Sequence, residues 1–408
     1  MEGEYMLENL RDTLKFRKVT FDTVERKLDR AANIDDLRVI AKRNLPGGVF
    51  DYIDGAAENE EALARSIRVF EDVLFRPRVL RDMSSVDLST TLLGKLIPFP
   101  LALSPTGFGR ISDSQGELSV ARSAARMGVP YTLSTLGTRS IEEIAAVSDG
   151  PKWFQVYVWK DRGLVKEMIN RAGAAGYETI MITVDFATLG RRERDIRRGF
   201  TLPPKLGLDT IVDGIMHPRW TMDFATSDPI RFANVTGAGD EKDGTDAVAL
   251  GPYVAEQLDA SLSWSDLEVF RDMWPGTLMI KGVQDVEDAR IAADLGIDAV
   301  ALSNHGGRQL DSSPAPFELL PATVDAVGDR IEILVDGGVR RGADIAKAVS
   351  LGATACMVGR PYLYGLGAGG ERGVDKALGF LHDEFERTMK LIGAASVAEL
   401  GPDFVQPA

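Results

Sequence analysis

The stretch IEILVDGGVRRGADIAKAVSLGATACMVGRP, residues 331–361, holds one full repeat of the fold. IEILVDGG is an apolar run too short for a helix, and it ends in two glycines. A helical pattern follows and closes at AVSLG, where Gly352 supplies a left-handed helix stop at no steric cost. ACMVGRP is then a second short apolar run. Strand, helix, glycine, strand joins neighbouring parallel strands through a right-handed crossover.

The same unit recurs on either side. Eight runs read as strands: IPFPLALS (97–104), PYTLST (130–135), WFQVYV (153–158), TIMITVD (179–185), TLMIKGV (277–283), AVALSN (299–304), IEILVDGG (331–338) and ACMVGRP (355–361). Helical patterns separate most of them, and AARMG (124–128), AGAAG (172–176) and AADLG (292–296) end as AVSLG does. Nearly continuous apolar strands mean that both faces of the sheet are covered. Eight such units predict an α/β fold, a closed (β/α)8 TIM barrel.

Two stretches fall outside the repeat. Residues 1–80 read as a polar, helical N-terminal segment packing on a barrel of residues 81–400. The connection between the fourth and fifth runs, about residues 186–276, is long for a compact domain, the mark of a lid, a binding loop or a disordered insertion.

Composition bounds the partners. The chain has 408 residues, 44% hydrophobic and 26% charged, which is ordinary for a globular protein. A formal net charge of −14 excludes nucleic acid as the main partner, because phosphate backbones need a basic field. The single cysteine, Cys356, lies in an apolar run and reads as a buried thiol. MEGEYMLENLRDTLKFRK shows no apolar signal segment, and no window has the roughly 18 apolar residues of a spanning helix. A cytoplasmic protein is expected, soluble or peripheral at the inner face of the membrane.

In such a barrel the chemistry gathers at the C-terminal ends of the strands. Those ends carry Ser104-Pro105-Thr106-Gly107, Ser134, Gln155 with Tyr157, Thr183 with Asp185, Lys281, Ser303 with His305 and Arg308, Asp336-Gly337-Gly338 with Arg340, and Gly359-Arg360. His305 is one of only three histidines, and it can take a proton near neutral pH. Asp185 is the carboxylate expected beside it. Arg308 and Arg192 suit a bidentate grip on a carboxylate. Gly306 and Gly307 let the chain turn so that His305 and Arg308 converge. DGGVRRG and GRP together resemble a barrel phosphate site, and Lys281 sets a cation where negative charge would develop. GLGAGG (365–370) matches a dinucleotide fingerprint but lies in the wrong context for one, and TGAGDEKDGTD reads as a solvated loop without metal-binding partners. His217 and His382 read as loop and helix-surface residues.

SNHGGRQLD, DGGVRRGAD, GRPYLYG, SPTG, WFQVYVWKDR, ITVD…LGRRERD and IKGV, taken together, resemble the FMN-dependent L-2-hydroxy-acid oxidase/dehydrogenase family over about residues 33–400. The resemblance implies FMN in the barrel mouth and oxidation of an L-2-hydroxy acid, L-lactate first, to the 2-oxo acid. It implies His305 as base, Asp185 as its orienting carboxylate, and Arg308, Arg192 and Tyr52 on the substrate carboxylate. Tyr157 would stabilise the reacting hydroxyl. Lys281 would sit by the flavin, with Ser134, Gln155 and Thr183 bonding its ring and Pro105, Thr106, Gly107 and Ser303 beside it. Asp336 would meet the ribityl chain, and Gly337, Gly338, Arg340, Gly359 and Arg360 the phosphate. His305 takes its proton from the hydroxyl if hydride moves to the flavin, or from the α-carbon if a carbanion forms. FATLG after Asp185, and Leu136 after Ser134-Thr135, depart from common members at the substrate pocket. The acceptor implied is a quinone, as in membrane-touching lactate and mandelate dehydrogenases, or O2, as in oxidases and lactate monooxygenase. A homo-oligomer, tetramer or octamer, is also implied. A non-catalytic barrel that only binds FMN or phosphate ligands is the reading of another class.

Overall fold

The computed structural model describes residues 20–198, 207–235 and 257–408. Eight parallel strands close into a barrel: β1 (Leu101–Leu103), β2 (Tyr131–Ser134), β3 (Lys152–Tyr157), β4 (Thr179–Thr183), β5 (Thr277–Val283), β6 (Ala299–Ser303), β7 (Glu332–Asp336) and β8 (Ala355–Val358). β8 pairs with β1 through Cys356↔Leu101, Met357↔Ala102 and Val358↔Leu103, which closes the ring. The fold is the expected (β/α)8 barrel. Gly128, Gly176, Gly296 and Gly352, the four predicted helix stops, all have positive φ between 70° and 99°.

The first strand is shorter than the sequence suggests. Pro98 and Pro100 interrupt IPFPLALS, and proline cannot donate to a ladder, so only Leu101–Leu103 join the barrel. Ile97 belongs instead to a hairpin of Thr90–Leu92 and Lys95–Ile97, turned at Leu93 and Gly94, both with positive φ. Leu92 and Ile97 are buried in one cluster with Trp153, Met181, Met279 and Met357. The hairpin thus plugs the N-terminal end of the barrel, and the C-terminal end is left to the site.

Helices Ile34–Asn44 and Gly47–Asp54 pack on helix Arg360–Gly369, which follows β8. Asn44 donates from Nδ2 to the carbonyls of Gly367 and Ala368 at 3.2 and 2.9 Å. The N-terminal segment is not wholly helical: Val73–Phe75 form a strand antiparallel to Val405–Pro407. The GLGAGG stretch lies in and just after helix Arg360–Gly369, where a Cβ on Gly365 would come within 2.3 Å of the Gly373 carbonyl. Its glycines allow two helices to touch and do not cradle a dinucleotide.

Helices Glu193–Arg197, Leu208–Met216, Pro218–Thr226 and Trp264–Met273 lie between β4 and β5. Trp220 donates its indole N–H to the Ile111 carbonyl at 2.8 Å, and the Ile141 amide donates to Asn234 Oδ1 at 2.9 Å. The insertion is therefore tied across the mouth to the loops after β1 and β2. The N-terminal MEGEYMLENLRDTLKFRK and the acidic TGAGDEKDGTD lie outside the described residues.

Candidate active site

His305 follows β6 in a left-handed turn: His305, Gly306 and Gly307 have φ of 58°, 66° and 74°. Two glycines make such a turn cheap, and a histidine in it carries strain of the kind that collects at working sites. The turn aims the imidazole into the barrel mouth. Nδ1 lies 3.0 Å from Asp185 Oδ1, and Nε2 lies 3.3 Å from the Tyr157 hydroxyl. Burial pushes the imidazole below its ordinary pKa, against the pull of Asp185. Burial, reinforced by Asp185, raises Tyr157, so it stays a neutral phenol that can donate. Gly282, at φ 107°, lets Asp185 come so close that a Cβ there would sit 2.5 Å from its Cγ.

Two arginines face this group. Arg308 donates from Nη1 to the carbonyls of Tyr52 and Gly55 at 2.6 and 3.1 Å, and its guanidinium lies 5.0 Å over the Tyr52 ring. Burial, and then the neighbouring charge of Arg192, push its pKa down to about 9. Arg192 Nε is buried without a hydrogen-bond partner. Two half-buried cations share a corner of the mouth with one donor unused, which is the electrostatic preparation for an anion.

The opposite side of the mouth is closed in on itself. Lys281 Nζ meets Asp336 Oδ2 at 2.8 Å and donates to Ser303 Oγ at 3.0 Å. Ser303 and Ser104 hydroxyls donate to the two Asp336 oxygens. Burial is the largest single influence on both and opposes both charges, but Asp336 and Asp185 together hold Lys281 above its ordinary range, and Lys281 with the Ser104 and Ser303 hydroxyls holds Asp336 below. Next to them Ser134 donates to Gln155 Oε1, and Gln155 Nε2 donates to Thr183 Oγ1, both at 2.9 Å.

A cavity of about 230 Å³ runs between the two sides, lined by His305, Tyr157, Arg192, Arg308 and Tyr52 at one end. Ser104, Pro105, Thr106, Gly107, Ser134, Thr183, Lys281 and Asp336 line its floor, and Gly337, Gly338, Arg340, Gly359 and Arg360 its far end. Gln155 and Ser303, expected at the cofactor, lie one layer behind and reach the cavity through Ser134, Thr183 and Lys281. Arg360 lines the far end, and its guanidinium donates to the carbonyls of Ile53, Gly55 and Gly306. Sequence reasoning missed Phe108 and Phe232 in the lining, and it marked Phe186 and Leu189 only as part of the FATLG departure. An aromatic residue carries no sequence signal that separates a pocket wall from core.

A family model described as FMN-dependent dehydrogenase matches residues 41–407. The chain belongs to that family. This dehydrogenase is 44% identical over 400 residues to a putative L-lactate dehydrogenase of Mycobacterium tuberculosis, covering 98% of this chain and 95% of the relative. It is 43% identical over 366 residues to an L-lactate dehydrogenase of Caulobacter vibrioides, covering 90% and 95%. The crystal structure of the monotopic membrane protein (S)-mandelate dehydrogenase superposes with a TM-score of 0.89 at 38% identity, covering 93% of this chain and 100% of that one.

FMN is accordingly the cofactor of this enzyme, and it oxidises 2-hydroxy acids. The mouth fits such a group. It offers a floor of small residues, a buried lysine fixed by its own counter-ion, and a glycine-rich far end with Arg340. Gly337 and Gly338 have φ of 133° and 84°, a backbone that β-branched residues could not follow.

Proposed function

We propose that the chain oxidises an L-2-hydroxy acid, L-lactate first, to its 2-oxo acid and passes the electrons to a membrane quinone. One observation carries the reading: His305 is held between Asp185 and Tyr157 and opens onto the same cavity as a buried guanidinium nitrogen with no partner. In it, Arg192 and Arg308 hold the substrate carboxylate, with Tyr52 beside them. Tyr157 donates to the reacting hydroxyl. His305 takes a proton at Nε2, while Asp185 fixes the Nδ1 proton and stabilises the imidazolium. Lys281, Ser134 and Thr183 would hold the flavin ring, with Gln155 bonded behind them, Asp336 would meet the ribityl chain, and Gly337, Gly338, Arg340, Gly359 and Arg360 the phosphate. FMN, when bound, supplies the two-electron redox chemistry.

The acceptor is read from the insertion. Helices Leu208–Met216 and Pro218–Thr226 expose Val212, Ile215, Met216 and Met222, at 58–72% of their full accessible area, with Arg219 nearby. An apolar face of this size on a helix pair suits the headgroup boundary of a membrane. Among the described residues no helix is long and apolar enough to cross one.

Flavin absorbance tests both halves. Anaerobic L-lactate bleaches the holoenzyme, and quinone in lipid vesicles restores the colour faster than air does. A flavin spectrum that no 2-hydroxy acid alters sinks the reaction. Faster recovery in air sinks the quinone and favours an oxidase.

A further inference from the structure

A second cavity, about 360 Å³, lies behind the catalytic group. It sits between the C-terminal ends of β3, β4 and β5 and the returning limb of the insertion, residues 258–267. Val158, Val184, Leu258, Leu262, Leu267 and Val283 form an apolar part of its wall, and Asp259, Ser263, Gln284 and Asp288 line its polar remainder. Among the described residues, Tyr157, Thr183 and Phe186 line both this cavity and the one that holds His305.

These three shared residues are not equally fixed. Thr183 receives a hydrogen bond from Gln155, and the Tyr157 amide donates to Thr135 Oγ1 at 3.0 Å. Phe186 has only its faces. Its ring centroid lies 4.4 Å from Tyr157, tilted 31°, and 5.5 Å from His305, tilted 20°. The backbone around it is pinned independently, because Gln309 Nε2 donates to the carbonyls of Asp185 and Thr188 at 3.0 and 2.8 Å. Truncating the ring would therefore open space without releasing the loop.

We infer that Phe186 is the partition that sets substrate size: its ring closes the active cavity against a second chamber able to take the side chain of a longer 2-hydroxy acid. The inference rests on the oxidation of 2-hydroxy acids proposed above. With the ring present, side chains as small as a methyl group fit and longer chains meet it. With the ring removed, an alkyl chain passes over the Tyr157 edge into the apolar part of the chamber. Each methylene it buries there improves transition-state binding relative to lactate.

The test compares the purified, FMN-loaded wild type with Phe186→Ala and Phe186→Leu. The readout is the ratio of kcat/KM for L-2-hydroxyoctanoate to that for L-lactate. It should rise about tenfold or more in Phe186→Ala and less in Phe186→Leu. Adding Leu262→Trp, which refills the chamber from its far side, should return the ratio towards wild type. A second readout needs no turnover: the Kd of 2-oxooctanoate relative to pyruvate, from the shift of the flavin absorbance, should fall as the first ratio rises. A ratio within twofold of wild type by both readouts overturns the partition, as does an equal loss on both acids. If the wild type oxidises no 2-hydroxy acid, the reading of function fails, and the binding ratio still decides for or against the partition. Should Phe186→Ala not fold, the same two ratios measured on Phe186→Leu decide the question.

Discussion

The barrel mouth holds two pairs of charge-bearing side chains, one buried and one half-buried, and they are built on opposite plans. Lys281 and Asp336 face each other at 2.8 Å, with Ser104 and Ser303 bonded to the two oxygens of the carboxylate. Arg192 and Arg308 also sit in the mouth, but they are alike in sign, and Arg192 keeps one donor unused. A buried ion pair whose charges are matched and whose carboxylate is bonded at both oxygens is balanced in charge and positions what lies beside it. Two half-buried cations with a spare donor are incomplete, and the missing anion has to arrive with a ligand. The first plan suits a fixed electrostatic feature beside a cofactor, the second a site that fills and empties with each turnover.

Breaking each pair should have opposite consequences. The largest effect is expected from Lys281→Met. It strands the Asp336 charge in a dry environment and should lower unfolding free energy by about 3–5 kcal/mol. The double variant Lys281→Met/Asp336→Leu should recover much of that loss, as paired removal does at other buried ion pairs. Chemical denaturation of the three proteins measures this; a single variant as stable as the wild type would mean that the pair is not closed as described.

The next effect is expected from Arg192→Ala and leaves stability nearly untouched. The guanidinium there has an unused donor and a like charge for a neighbour, so its removal breaks no complete pair. On the proposed reading, what it removes is one charge-assisted hydrogen bond to the substrate carboxylate, of about 1.5–3 kcal/mol, or roughly 10–150-fold in kcat/KM and mostly in KM. Steady-state kinetics beside a melting curve separates the outcomes. A large loss of stability with an unchanged KM would invert the contrast between the two pairs.

How much of this could be read from sequence follows the same physics. The barrel was legible because strands buried on both faces are apolar throughout, and because Gly128, Gly176, Gly296 and Gly352 mark the helix ends. The first strand misled because a prolyl residue looks apolar yet cannot join a ladder, and the plugging hairpin hid inside the same run. Titratable site residues were legible because few roles call for a histidine, a lysine or an aspartate at a strand end. Partners were not. Arg360 meets carbonyls more than 300 positions earlier in the chain, at Ile53 and Gly55. Phe108 and Phe232 reach the cavity from a tight turn and from the insertion, where nothing in the local pattern distinguishes wall from core.

The smallest effect concerns His305, which stands between the two plans. Its partner Asp185 uses Oδ1, while Oδ2 is buried without a partner. The imidazole is pushed below its ordinary pKa first by burial, and further by the charges of Lys281 and Arg192, against the pull of Asp185. A base acts in its neutral form, so kcat/KM should hold level as the pH falls through about 6.5, the ordinary imidazole value, and drop only below it. Stability carries the same sign. The unfolded chain takes its proton near about 6.5 and the folded one at lower pH, so this contribution is complete above that value and shrinks as the pH falls towards the folded pKa. Two charged neighbours of His305 then make a joint prediction. Arg192→Ala deletes a cation that opposes the imidazolium, so the acid limb should move up in pH, towards about 6.5. Asp185→Asn deletes the group that favours the imidazolium, so the limb should move down while the rate falls, because the ring loses its fixed tautomer. Profiles of kcat/KM against pH for the three proteins read both shifts, each a fraction of a unit to about one unit. An acid limb already above about 6.5 in the wild type would mean that Asp185 outweighs burial, and His305 would then belong with the closed pair.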